Sequence, residues 1–225
     1  MRTAAILPIK RFDAAKQRLG ESVADGLRLA LARAMVLDVL SVLAGCAGIE
    51  LTIIVTSEPS VAALSADRSL VIRDEAEEGQ SAAVSLGVAR ALADGFERVL
   101  CVPGDCPALD PVELDGLLEA DASQEVVIVP DRHGSGTNGL LLSPPDAIPP
   151  AFGPGSCERH RVLAADAGVR VVTSRPRSLL LDVDTGSDLA VLRAQLVQID
   201  GRARRTRAVL GSPEHAETLS LAAGA

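Results

Sequence analysis

Four short segments combine residue types and spacings able to handle a phosphorylated ligand. Lys10, Arg11, Lys16 and Arg18 place four cations within nine residues. Lys10, Lys16 and Arg18 suit a polyphosphate, since an arginine forks onto two phosphate oxygens and a lysine acts as a mobile point charge. The GxxxxGK[ST] spacing of a P-loop is absent, and a solvated basic loop would have the same composition. Asp105 stands in Pro103-Gly104-Asp105-Cys106-Pro107, a turn that offers a carboxylate to a Mg2+ ion, which takes one or two carboxylates and fills its shell with phosphate oxygens and water. An aspartate bonded to its own turn is the plain alternative. Residues 131–139 are polar and glycine-rich, with Thr137 and Asn138 supplying a hydroxyl and an amide, although a hairpin connection would use the same glycines. Phe152-Gly153-Pro154-Gly155-Ser156 opens a helix with Ser156 as its expected N-cap and Arg159, His160 and Arg161 in the first turns, an arrangement fit for an acidic ligand or for simple capping. Asp182 and Asp184 share one face of an expected strand. Two carboxylates so placed repel unless a cation lies between them or they face solvent, and Asp105 with either one would complete a magnesium site. Asp188 reads as an early-helix residue favoured by the helix dipole, with no catalytic part.

These segments need a scaffold that brings them together. Apolar, β-rich stretches at Thr3–Pro8, Leu51–Thr56, Leu70–Arg73, Arg98–Val102, Glu125–Pro130, Asn138–Ser143, Val169–Thr173 and Leu179–Val183 alternate with helical patterns. The helices are expected at Val23–Ala44, Pro59–Ser65, Gln80–Asp94, Pro111–Glu119, Ser156–Ala167 and Ser187–Gln198. Strands separated by helices imply crossover connections and a largely parallel sheet covered on both faces. The expected fold is a single α/β domain over 1–200, a doubly wound Rossmann-like layout with a mostly parallel mixed sheet and helices on both faces. Ligands of such sheets bind beyond the carboxyl ends of the strands, where the four segments fall. Residues 201–225, with Arg202, Arg204, Arg205 and Arg207 followed by a Gly/Ser/Ala-rich end, read as a solvated, partly disordered tail.

Composition removes several function classes. The 225 residues carry 22 Lys+Arg against 30 Asp+Glu, a net charge of -8, with 48% hydrophobic but only 1% aromatic residues. A mean hydropathy of +0.26 and a charged fraction of 23% exclude a disordered chain and demand an aliphatic core. Without Trp or Tyr and with an acidic pI near 4.9, the chain lacks stacking platforms and general affinity for polyanions, so no nucleic acid is expected as a partner. Leu29 to Ile49 is interrupted by Arg33 and Asp38 and reads as a core helix, so no membrane partner is expected. The start lacks a signal-peptide core. Cys46, Cys101, Cys106 and Cys157 form no CxxC pair and read as reduced thiols of a cytoplasmic protein.

The ordered set LPIK…AKQRLG, EEGQSAAVSLG, PGDCPAL, DRHGSGTNGLLL, FGPGSCERH and LDVDTGSDL resembles the 2-phospho-L-lactate or phosphoenolpyruvate guanylyltransferases, CofC or FbiD, of coenzyme F-420 biosynthesis. The resemblance covers about residues 3 to 199. It implies a nucleotide-diphospho-sugar-transferase-like fold that uses Mg2+ to join the guanylyl group of GTP to the phosphate of a small phosphorylated three-carbon acid, with release of pyrophosphate. Phosphoenolpyruvate comes first because the Ala- and Arg-rich composition suggests a GC-rich bacterial genome; 2-phospho-L-lactate and 3-phospho-D-glycerate are alternatives. By resemblance, Lys10, Lys16 and Arg18 face the triphosphate, Gly79, Gln80 and Ser81 lie near the guanine, and Thr137, Gly153 and Ser156 hold the acceptor. Asp105, with Asp182 or Asp184, holds magnesium, and Asp105, Lys10 and Arg18 form the catalytic set. The implied partner is the downstream lactyl-phosphate transferase, and a homodimer stays open. Pro103 and Gln80-Ser81 depart from the family pattern, which often has an acidic residue and Leu-Asn there. A molybdenum-cofactor nucleotidyltransferase would open on a glycine-rich LAAGxSxRMG-like loop, which is absent. A non-catalytic nucleotide-binding protein remains the alternative of a different class, against which the retention of Asp105, Asp182 and Asp184 counts.

Overall fold

The computed structural model describes residues 1–63, 68–119 and 125–213. Seven strands, β1 (Thr3–Ile9), β2 (Leu51–Thr56), β3 (Ser69–Arg73), β4 (Arg98–Cys101), β5 (Glu125–Pro130), β6 (Thr137–Ser143) and β7 (Arg170–Thr173), form one sheet in the order β3-β2-β1-β4-β6-β5-β7. Pairing is parallel throughout except at β6, which runs antiparallel to both β4 and β5. The mixed, mostly parallel α/β layout expected from the sequence is the one found.

Strand periodicity builds the two faces. In β1, Ala5 and Leu7 point to one side, against α2 (Asp25–Gly45) and α4 (Pro111–Leu118), while Ala4 and Ile6 point to the other, against α3 (Gln80–Ala93) and α5 (Ser156–Asp166). Both faces are covered, so β1 and β4 are apolar at nearly every position. Gly87 of α3 is a required small residue, because a Cβ there would lie 2.5 Å from Cγ2 of Ile6. The remaining flank of α2, through Leu27, Leu31 and Met35, buries against α6 (Gly186–Gln198). Each such Leu or Met contributes about 1.5–3 kcal/mol relative to exposure.

Two expectations are corrected. Leu179–Val183 is not a strand: 177–179 form a short 3-10 turn and residues 181–184 run as extended chain outside the sheet. Leu181 and Val183 alternate because they pack into the cluster beneath α2 and α6, and Val183 N–H donates to Asp105 O at 3.1 Å. The arginine run is not a solvated tail either. Residues 204–210 form α7 (Arg204–Leu210), which packs on α2. Asp38, buried in the middle of α2, accepts the backbone N–H groups of Arg205 (3.0 Å) and Thr206 (2.9 Å) and the Thr206 hydroxyl (2.8 Å). A helix start has unpaired N–H groups, and a buried carboxylate satisfies them while favouring the positive dipole end. Arg207 donates to the carbonyls of Leu196 and Ile199 at the end of α6, and Arg202 pairs with Asp110. The expected tail beyond residue 213 lies outside the described residues.

Among the described residues, no helix is long and apolar enough to cross a membrane. All four cysteines are free and buried.

Candidate active site

The carboxyl ends of β1, β2, β3, β4 and β5 and the beginning of the reversed β6 converge on one cleft of about 1050 Å3. Its lining includes Lys10, Lys16, Arg18, Gly79, Gln80, Asp105, Thr137, Gly153, Ser156, Asp182 and Asp184: the four segments meet here, and of the twelve residues expected at the site Ser81 alone is outside the lining.

The basic loop is held, not loose. Arg28, buried in α2, donates to the carbonyls of Phe12 (3.3 Å), Asp13 (3.1 Å) and Ala15 (2.5 Å), and Glu58 accepts the Phe12 N–H at 2.9 Å. This holds Lys16 in a left-handed conformation (φ 58°, ψ 36°) at the start of the single turn α1 (Gln17–Gly20). Its ammonium reaches between two carboxylates, pairing with Asp105 Oδ2 and, at 2.7 Å, with Asp184 Oδ1. Arg18 takes the other Asp184 oxygen at 2.6 Å. Lys10 is exposed on the cleft wall.

Asp105 follows a close approach of chain to helix, since a Cβ on Gly104 would lie 2.9 Å from Val36 Cγ2. Its Oδ1 is buried with no hydrogen-bond partner among the described residues. Asp182 accepts one bond, from Asn138 Nδ2 at 3.2 Å. Burial, and then the charges of Asp105 and Asp184, push the Asp182 carboxyl above the usual range. Asp184 lies below it: burial acts upward, but Lys16 and then Arg18 and Lys10 outweigh it. Burial likewise opposes the charge of Lys16, and Asp105 and Asp184 overcome it, so its pKa is raised. Three carboxylates, one of them with an unbonded buried oxygen, share the Lys16 ammonium and the Arg18 guanidinium. Among the described residues no group of three or more His, Cys, Asp or Glu side chains is gathered as a metal site; a hard divalent cation would find its oxygen donors in Asp105 with Asp182 or Asp184.

The sequence places Asp188 early in the last helix, as found, but does not reveal that it and Thr185 hold this cluster in place. Thr185 and Asp188 form a capping box at the start of α6, and Asp188 Oδ2 also accepts the N–H groups of Asp184 (3.2 Å) and Thr185 (2.8 Å). Its Oδ1 pairs with Arg132 at 2.5 Å. The T-x-x-D spacing was the available signal.

At the other end of the cleft, Gly155, not Ser156, is the N-cap of α5; Ser156 is the first helical residue, with its side chain turned inward. Ser156 Oγ lies 3.0 Å from Thr137 Oγ1, Thr137 Oγ1 lies 3.1 Å from His160 Nδ1, and the Ala151 N–H donates to His160 Nε2 at 3.0 Å. Arg159 spends its guanidinium on the carbonyls of Ala151, Phe152 and Pro154, and Arg161 pairs with Glu158. The three basic residues of α5 are therefore not free cations: His160 is wholly buried, and burial, followed by the charge of Arg159, lowers its pKa to about 4. Gly153 (φ 107°) and Gly79 (φ 102°) take backbone conformations that other residues rarely adopt. Ser81 stands behind Gly79 and Gln80, where its Oγ accepts the Phe152 N–H at 2.9 Å and ties α3 to the 151–156 loop.

Residues 3–210 match the model of the family described as "Guanylyl transferase CofC like", a span that includes α7. The chain is 47% identical to the phosphoenolpyruvate guanylyltransferase of Conexibacter woesei, covering 93% of this chain and 96% of that protein. It is 38% identical to the protein of the same name from Rubrobacter xylanophilus, over 84% of this chain and 93% of the other. Among solved structures, a putative nucleotide-diphospho-sugar transferase from Desulfovibrio desulfuricans superposes with a TM-score of 0.78 at 19% identity, covering 99% and 98% of the two chains. A Methanothermobacter nucleotidyl transferase gives 0.63 at 22% identity, over 88% and 98%; these two likenesses concern the fold.

Proposed function

The chain belongs to the CofC-like guanylyl transferase family, and from that membership we propose that it joins the guanylyl group of GTP to phosphoenolpyruvate, giving enolpyruvyl-diphospho-guanosine and pyrophosphate. The observation that carries the reading is the convergence, in one cleft, of an electron-rich aspartate cluster with a basic loop on one side and a hydroxyl-lined, glycine-rich pocket on the other. An oxygen of the acceptor phosphate attacks the α-phosphorus of GTP, a new P–O bond forms, and the bond from that phosphorus to the β-phosphate oxygen breaks, with pyrophosphate as leaving group. The attacking oxygen is already anionic at neutral pH, so no protein base is required.

Catalysis then consists of positioning and charge stabilisation. Lys10, Lys16 and Arg18 bind the triphosphate and counter the charge that grows on the departing pyrophosphate. Gly79 and Gln80 form the wall against the base. Thr137, Gly153 and Ser156 receive the acceptor, with the glycine allowing close backbone approach. Asp105 and Asp182 or Asp184 would hold Mg2+, which when bound neutralises phosphate charge and aligns the phosphates. Lys16 has a second task in the ligand-free protein, where it supplies the positive charge that keeps Asp105 and Asp184 close together.

The test is pyrophosphate release from GTP, ATP and CTP with magnesium, each offered phosphoenolpyruvate, 2-phospho-L-lactate and 3-phospho-D-glycerate, with a downstream lactyl-phosphate transferase added to draw off a labile product. Turnover with GTP and phosphoenolpyruvate is expected. Turnover with another acid would replace the acceptor, and silence across the panel from folded protein would favour a non-catalytic nucleotide binder.

A further inference from the structure

The hydrogen-bond chain behind the acceptor pocket has a direction that its distances alone do not reveal. A backbone N–H can only donate, so the bond from Ala151 to His160 Nε2 makes that nitrogen an acceptor. A neutral imidazole with an accepting Nε2 carries its proton on Nδ1, which therefore donates to Thr137 Oγ1. Complete burial of His160, edge-on against the Phe152 ring at 5.1 Å, keeps it neutral.

The two hydroxyls in front of it then have a fixed surplus. Thr137 and Ser156 own two hydroxyl protons, and their mutual bond uses one. If the imidazole accepted a proton from Thr137, both would be consumed inside the protein. Because it donates instead, one proton is left with no acceptor among the described residues, and both side chains line the cleft. We infer that His160 is a positioning residue for the acceptor: by donating to Thr137 it sets the polarity of the Thr137–Ser156 pair so that the pair presents a hydroxyl donor, not a lone pair, to the anionic group of the phosphorylated acid. The inference rests on the acceptor site proposed above. It makes the same imidazole hold the other wall of the pocket, since Nε2 fixes Ala151 and Arg159 fixes the carbonyls that follow.

Two amide variants separate this role from a structural one. Asparagine places its NH2 near the position of Nδ1, whereas glutamine reaches the position of Nε2 and leaves Thr137 without a donor. In the full-length protein, His160→Asn is expected to keep the phosphoenolpyruvate KM within about threefold, and His160→Gln to raise it roughly tenfold, the usual scale for losing a hydrogen bond to a charged group. The GTP KM should stay within about twofold in both. Equal acceptor KM values in the two variants, or a shared shift of both KM values, would overturn the assignment. Imidazole nitrogen NMR of the ligand-free wild type supplies a readout independent of turnover, because the chain has only three histidines. An Nδ1-protonated tautomer at neutral pH is expected for His160, and an Nε2-protonated one would refute the polarity. Wild-type protein that shows this tautomer and yet releases no pyrophosphate with any nucleotide and acid would instead remove the proposed function, and the acceptor role with it.

Discussion

At the scale of single residues, the three aspartates of the cleft are not equivalent, and their environments predict opposite responses to neutralisation. Asp105 is bonded to Lys16 through one oxygen and has a buried, unbonded second oxygen. Asp105→Asn should lower kcat/KM for pyrophosphate release by about a hundredfold or more, the scale of a lost transition-state electrostatic contact, while circular dichroism still reports a folded chain. Activity within a few-fold of wild type, at saturating magnesium, would remove Asp105 from the site. Asp182 is buried and faces two other carboxylates with only an amide for a partner, so its ionised form is disfavoured in the fold. Asp182→Asn is therefore expected to raise the Tm of the ligand-free protein at neutral pH while impairing turnover. A lower Tm would mean that the charge of Asp182 is compensated in a way that the ligand-free geometry does not contain. Asp184 is the reverse case, since Lys16 and Arg18 hold it charged.

At the scale of elements, the strands and long helices were legible because both signals they need are local: β-branched and aliphatic runs of five to seven residues, and helical spacing bounded by Pro, Gly or Asp. The turn Pro103-Gly104-Asp105 could be placed at a strand end for the same reason. The stretch 179–183 was misread because alternation records which side of an extended chain is buried and not what buries it; Leu181 and Val183 meet helices instead of a neighbouring strand. His160 was read as a cation because sequence gives residue type and not the burial that keeps it neutral. Arg202 to Arg207 looked solvated because charge counts carry no partners. The one hint was Asp38, an acid among the apolar residues of the second half of α2, whose bonds to α7 span 167 and 168 positions. Removing it leaves two backbone N–H groups and a hydroxyl without their acceptor. Asp38→Ala should cost about 1–3 kcal/mol in urea unfolding and open the arginines of α7 to trypsin, with GTP KM little changed. Unaltered stability would show that α7 is held by its apolar contacts alone.

At the scale of the whole molecule, burying a neutral histidine couples stability to pH. The pKa of His160 falls from 6.5 to about 4 on folding, so between these values the unfolded chain binds a proton that the folded chain refuses. Stability from this group is complete above about pH 6.5, declines as pH drops toward 4 with a slope of at most about 1.4 kcal/mol per unit, and changes no further below that. Unfolding of wild type and His160→Asn at pH 7, 5.5 and 4.5 should show the wild type losing stability faster; parallel losses would assign the acid sensitivity elsewhere. The reversed strand β6 has a consequence of another kind. It sets Thr137 and Asn138 at the beginning of a strand, in a hairpin with β5, while the basic loop and Asp105 hang from the ends of the parallel strands β1 and β4. On the proposed function, the surfaces for nucleotide and acceptor are carried by separate stretches of chain, stitched together at the Asn138–Asp182, Arg132–Asp188 and Ser81–Phe152 contacts. Substitutions in the hairpin and the 151–156 loop that spare these contacts would then retune which acid is accepted without rewriting nucleotide recognition.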